Sequence, residues 1–176
     1  MSLNGLRAAL AEDASYARVR TNASRPVDQR SADLQIGAPA GLRAPLIAEM
    51  VDGLAGLSAP DADAGTGTGT VPDTGAAVPV VLAITATGRE AEDLAQALRS
   101  YLPESAIEEF PSWETLPHER LSPRSDTVGR RLSVLRRLAH PGASPIRVIT
   151  APIRAVVQPL VAGLGDLEPV ALKVGD

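Results

Sequence analysis

Apolar positions in this chain alternate between helical and strand spacing. Leu3, Leu6 and Leu10 recur at helical intervals and predict a short opening helix. Residues 20–32 are polar and read as a loop, and a short strand is expected at residues 33–36, ending at Gly37. Leu46, Ile47, Met50, Val51 and Leu54 form one apolar helix face, with Pro45 tolerated in the first turn. Val80-Val-Leu-Ala-Ile84 is an unbroken β-rich run, the pattern of a strand buried on both faces. Thr87 and Glu90 have capping-box spacing, and Ala91, Leu94, Ala95, Leu98 and Leu102 make the stripe of the helix that follows. A second strand is expected at residues 107–110. Ser125 or Asp126 is expected to cap a third helix, with Val128, Leu132, Leu135 and Leu138 inward and Pro141-Gly142 ending it. Residues 146–149 read as another buried strand, Pro152 opens a short helix through Val157, and a last strand is expected at residues 170–174.

Strands alternating with helices predict an α/β fold: a parallel sheet flanked by helices. Residues 56–79 break the pattern. They are mostly Gly, Ala, Thr, Pro and Asp, including Gly65-Thr-Gly-Thr-Gly-Thr70. Such a composition cannot bury enough apolar surface to offset the entropy of ordering, so a flexible insertion is expected there. Two units follow from this reading: an opening helix and loop at residues 1–32, and a domain at 33–176 carrying the insertion. The chain stops at Gly175-Asp176 with no helix to cover the last strand, which points to a piece of a longer protein.

Composition narrows the chemistry. Aromatics are 2% of residues, so Leu, Val, Ile and Ala must build the core. Cysteine is absent, which excludes disulfides, thiolate metal sites and cysteine nucleophiles. No apolar run is long enough to span a membrane as a helix, and the opening residues lack the order of a secretory signal; a cytoplasmic setting is expected. The net charge of -4 is unevenly divided. Residues 1–119 carry 8 Arg and 17 acids, for -9, whereas residues 120–176 carry 8 Arg, Lys173 and 4 acids, for +5. A basic final third suits nucleic acid, an acidic partner, or an acidic surface of the same assembly.

Gly37-Ala-Pro-Ala-Gly-Leu-Arg-Ala44 lies between the expected strand and helix, where a phosphate-binding loop belongs. Such a loop needs a lysine for the β- and γ-phosphates and a hydroxyl for magnesium. Here Arg43 takes the lysine position, Ala44 the hydroxyl position, and bulky Leu42 the place of the preceding glycine. Gly37, Gly41, Leu42, Arg43 and Ala44 are therefore either a degenerate nucleotide site or an ordinary turn, and ATP hydrolysis is not expected on either reading. No catalytic, metal-binding or cofactor-binding residues are expected elsewhere.

Rare side chains gather between residues 110 and 140: the only Phe, the only Trp and both His. Trp113, in a Pro-rich loop with Glu114, Thr115 and His118, either anchors a partner, stacks on a base, or pins the loop to its own domain. Arg130 and Arg137 share a helix face, flanked by Arg131 and Arg136; they suit phosphates, acidic residues of a neighbouring domain, or solvent. The first of these would make the chain a nucleic-acid-binding module acting through a basic helix. His140 is expected at a helix C-terminus, where the dipole tolerates a cation.

Trp113-Glu-Thr-Leu-Pro-His-Glu119, followed by Ser122-Pro123, Asp126-Thr127, Arg131-Leu132 and Leu135, resembles the N-terminal region of the bacterial transcription-repair coupling factor family, close to its actinobacterial form. The run from Val80 to Leu94, Val148-Ile-Thr-Ala151 and Gln158-Pro159 extend the resemblance. It implies a non-catalytic, UvrB-like half-domain folded like a RecA-type motor with the ATP site lost, Gly37 to Ala44 being its remnant. The parent would be an ATP- and magnesium-dependent DNA translocase that displaces stalled RNA polymerase and recruits the excision-repair protein UvrA. Trp113, Glu114, Leu116 and Pro117 would then form an interface loop, and Arg130, Arg131 and Arg137 would face other domains or nucleic acid.

Overall fold

The computed structural model describes residues 3–23, 25, 34–55, 79–115 and 122–168. At its centre are three parallel strands, β1 (Val81–Thr85), β2 (Ile107–Glu109) and β3 (Val148–Pro152), in the order β1-β3-β2. Val148 is in register with both Val81 and Ile107. The middle strand is buried at every position, as a parallel strand covered on both faces should be.

Helices cover the two faces. On one, α3 (Arg43–Ala55) and α4 (Gly88–Leu98) bring Ala48, Val51, Ala95 and Leu98 against Ala83, Ile107 and Val148. On the other, α5 (Ser125–Ala139) and α6 (Ile153–Val157) close Val134 and Ala155 over Phe110, Ile149 and Ala151. The start of α4 follows its sequence signal. Thr87 Oγ1 accepts from Glu90 N at 3.2 Å, and Glu90 Oε2 accepts from Ala86 N at 3.1 Å. Two further helices, α1 (Leu3–Glu12) and α2 (Ala14–Ala23), pack on α3. Arg7 fixes α1 there: Nε reaches Glu49 Oε1 at 2.5 Å, Nη2 pairs with Asp52, and Nη1 donates to Tyr101 O at 3.5 Å. After α6, Gly165 lies so close to α5 that a Cβ would stand 2.8 Å from Leu135 O, which lets the turn Leu164–Asp166 seat on that helix.

Five expectations need correction. Helix α2 runs through Ala23, into the stretch read as a loop from residue 20. Residues 34–36 form no strand; Leu34 and Ile36 are exposed and pair with no neighbour in the sheet. The strand at 81–85 is buried on one face only, because β1 is an edge strand: α5 packs on β2, and α6, five residues long, leaves the outer face of β1 half open; Leu82 and Ile84 are each 49% exposed. Helix α5 is turned one residue from the expected orientation. Thr127, Arg131 and Val134 point inward, Val128, Leu132 and Leu135 are half-buried, and Leu138 is exposed. Its N-cap is Arg124, with no side-chain cap from Ser125 or Asp126.

The expected insertion, apart from Pro79, lies outside the described residues, as do the strand expected at 170–174 and Leu116, Pro117, His118 and Glu119. Among the described residues, no helix is long and apolar enough to cross a membrane, and no group of His, Cys, Asp and Glu is arranged to hold a metal ion.

Candidate functional site

The loop after β2 is built around one buried cation. Phe110 leaves the strand with its N–H donating to Thr150 O at 2.8 Å, which holds the ring beside the sheet. The Arg131 guanidinium stacks on that ring, 4.1 Å from its centroid, and on the Trp113 ring at 4.3 Å. Its Nη1 donates to Pro111 O at 2.6 Å, and only 1% of the residue is exposed. Burial pulls the Arg131 pKa down, because desolvation disfavours the charged form. Nε and Nη2 make no hydrogen bond.

Two more contacts close the loop. The Gln158 side chain brackets the Trp113 backbone, Oε1 accepting from N at 2.8 Å and Nε2 donating to O at 3.4 Å. The Glu114 carboxylate accepts from Thr127 Oγ1 and, at 3.2 Å, from Arg124 N. It thus supplies, from across the loop, the cap that α5 lacks in its own sequence. The Thr127 hydroxyl bond, with help from the Arg124 N–H, holds the Glu114 pKa below the ordinary carboxylate value. A depressed carboxyl stabilises the fold above its unfolded pKa, and that contribution disappears as pH falls through the folded value. Glu114→Gln should therefore lower the thermal midpoint near neutral pH and make little difference in acid. Thermal denaturation of both proteins across that range checks it; a gap that persists in acid would mean the carboxylate charge is not what matters.

The arginines of α5 have different surroundings. Arg137 pairs with Glu108 and donates to Ser105 O at 2.5 Å and Ser144 O at 3.0 Å. Arg136 donates to Leu167 O at 2.7 Å. Arg130 is exposed, 3.6 Å from Asp126 one turn earlier. The helix ends at His140, whose Nε2 is 3.5 Å from Asp166. The sequence therefore led to Trp113, Glu114 and the arginines; it marked Phe110 only as the lone phenylalanine, and Thr127 and Gln158 only within the resemblance, with no sign that these side chains hold the loop. Gln158 is 45 positions from Trp113, with no local signal linking them.

The glycine-rich segment before α3 has a different form from a phosphate loop. Gly37 lies in irregular chain, Gly41 in a 3₁₀ turn spanning Ala40–Leu42, and Arg43 is exposed as the first residue of α3. Ala44 faces inward with Ala48 and Val51, 5% exposed. A side-chain oxygen at that position would meet core atoms. Beside the head of α3 and the end of β1 lies a cavity of about 610 Å³.

No family model matches the chain. The transcription-repair-coupling factors of Mycobacterium bovis and Mycobacterium tuberculosis are each 53% identical to it over 100 residues. Over that stretch the chain is similar to transcription-repair-coupling factor. The match takes in 54% of this chain and 8% of each relative, so the chain spans less than a tenth of the transcription-repair-coupling factors it matches.

Proposed function

We propose that this chain is a non-catalytic module of a transcription-repair-coupling factor, acting in transcription-coupled nucleotide excision repair in the cytoplasm. It serves as a scaffold, a degenerate RecA-like half-domain that packs against the other domains of a longer parent and helps hold that parent in a resting state. ATP and magnesium binding, translocation on DNA, displacement of RNA polymerase and recruitment of UvrA belong to the parent. The observation that carries the reading is the 53% identity to the mycobacterial factors. The geometry supports a scaffold in two places. Ala44, where a phosphate loop needs a hydroxyl, is core, and Arg131, Arg136 and Arg137 make contacts within the chain itself. That leaves Arg130 as the outward cation of α5, a small footprint for a nucleic-acid module.

A chimera tests this. The matched stretch of the Mycobacterium tuberculosis factor is deleted or replaced by this chain, and ATP hydrolysis is followed without and with DNA. Deletion should raise the resting rate, and the chimera should restore it. A chimera that behaves like the deletion would overturn the scaffold reading.

A further inference from the structure

The cavity at the head of α3 is walled largely by apolar side chains, although it sits between the N-terminal ends of α3 and α4. Ile36, Leu46, Met50, Ile84 and Leu94 line it, and Ile36 and Ile84 are each 49% exposed. Its volume of about 610 Å³ is in the range of sites that enclose small organic ligands. Three polar or charged side chains reach it, and two of them have partners. Thr85 Oγ1 donates to Thr87 O at 2.8 Å, and Glu90 Oε2 accepts from Ala86 N at 3.1 Å. The third, Arg43, is exposed on the first turn of α3; its backbone N–H donates to Ala40 O, but its guanidinium makes no hydrogen bond or ion pair with the described residues. An apolar chamber with one uncommitted cation is suited to a particular kind of guest.

We propose that this cavity binds a small amphipathic anion: a planar or branched apolar body carrying one acidic group. The body lies against Leu46, Met50, Ile84 and Leu94, and the acid takes the Arg43 guanidinium in a charge-assisted hydrogen bond. A nucleoside triphosphate is a poor match. It brings several negative charges to a single arginine, and Glu90 stands in the same wall. The site thus goes beyond the scaffold role, and its test is independent of that role.

The test uses the whole chain and two fluorescent probes of similar shape, anilinonaphthalene sulfonate as the anion and phenylnaphthylamine as its uncharged counterpart. The sulfonate should saturate at one site per chain. Arg43→Gln should weaken it about tenfold, the loss of one charge-assisted bond, and leave the amine unchanged. Glu90→Gln keeps an acceptor for Ala86 N and should tighten the sulfonate by removing a like charge. Circular dichroism verifies that both variants fold. Sulfonate binding that ignores Arg43→Gln, or that drops in parallel with the amine, would overturn the proposal. So would loss of sulfonate binding in Glu90→Gln.

Discussion

Replacing Arg131 by alanine should destabilise the chain by about 3 kcal/mol, whereas methionine at the same position should cost no more than about 1 kcal/mol. The asymmetry follows from what Arg131 does. It is among the largest fully buried side chains, filling the space between Phe110 and Trp113. Alanine empties that space and removes two cation–π contacts, each worth about 0.5–2 kcal/mol. Methionine keeps most of the volume and offers both rings a sulfur. It leaves Pro111 O without its donor, at a cost of about 1–3 kcal/mol, but it also removes a desolvated charge with two unpaired nitrogens. Urea denaturation of the three proteins, read at equal slope, decides the matter. If methionine were as damaging as alanine, the guanidinium charge, rather than the filling of the gap, would be what holds the loop.

Arg131 also explains why part of this fold was hidden from sequence reading. A search for helical periodicity treats arginine as polar and assigns the inward face of α5 to Val128, Leu132, Leu135 and Leu138. The helix is turned by one residue because the two aromatic rings of the preceding loop draw the arginine inside, and nothing within α5 announces that. Helix α4 was legible for the opposite reason. Its capping box and its apolar stripe are both local, and they agree. Strand β3 was legible in part: Val148 and Ile149 marked a buried strand, but it runs over Val148–Pro152 rather than 146–149, because Arg147 and Thr150 interrupt the apolar pattern that would set its bounds. The apolar β1 misled, since a run of Val, Leu, Ala and Ile does not say whether a helix covers each face. The cap of α5 was invisible as well, because Glu114 is brought to Arg124 and Thr127 by the loop's tertiary path.

The segment from Gly37 to Ala44 gives the second large effect. Installing the missing phosphate-loop side chains, Arg43→Lys together with Ala44→Thr, should yield no ATP binding and should lower stability by about 1–3 kcal/mol, nearly all of it from Ala44→Thr. Ala44 packs with Ala48 and Val51 under α3, so a threonine there adds a methyl and a hydroxyl to a filled core, and its oxygen has no path to a metal ion. Arg43 is exposed and should accept lysine at little cost. The backbone before the helix argues the same way. Residues 34–39 form no strand, so no sheet edge holds the loop in a curve around a phosphate, and Leu42 N is already bonded to Pro39 O at 2.9 Å. Calorimetry with ATP and magnesium, alongside urea denaturation of the single and double variants, separates side chain from backbone. Heat of binding in the double variant would mean that the backbone still cradles phosphate and that only side chains were lost. An unchanged stability would mean that the core beneath α3 has room for the hydroxyl. If both expectations hold, this segment has become a core-packing turn, and new side chains alone cannot return it to nucleotide chemistry.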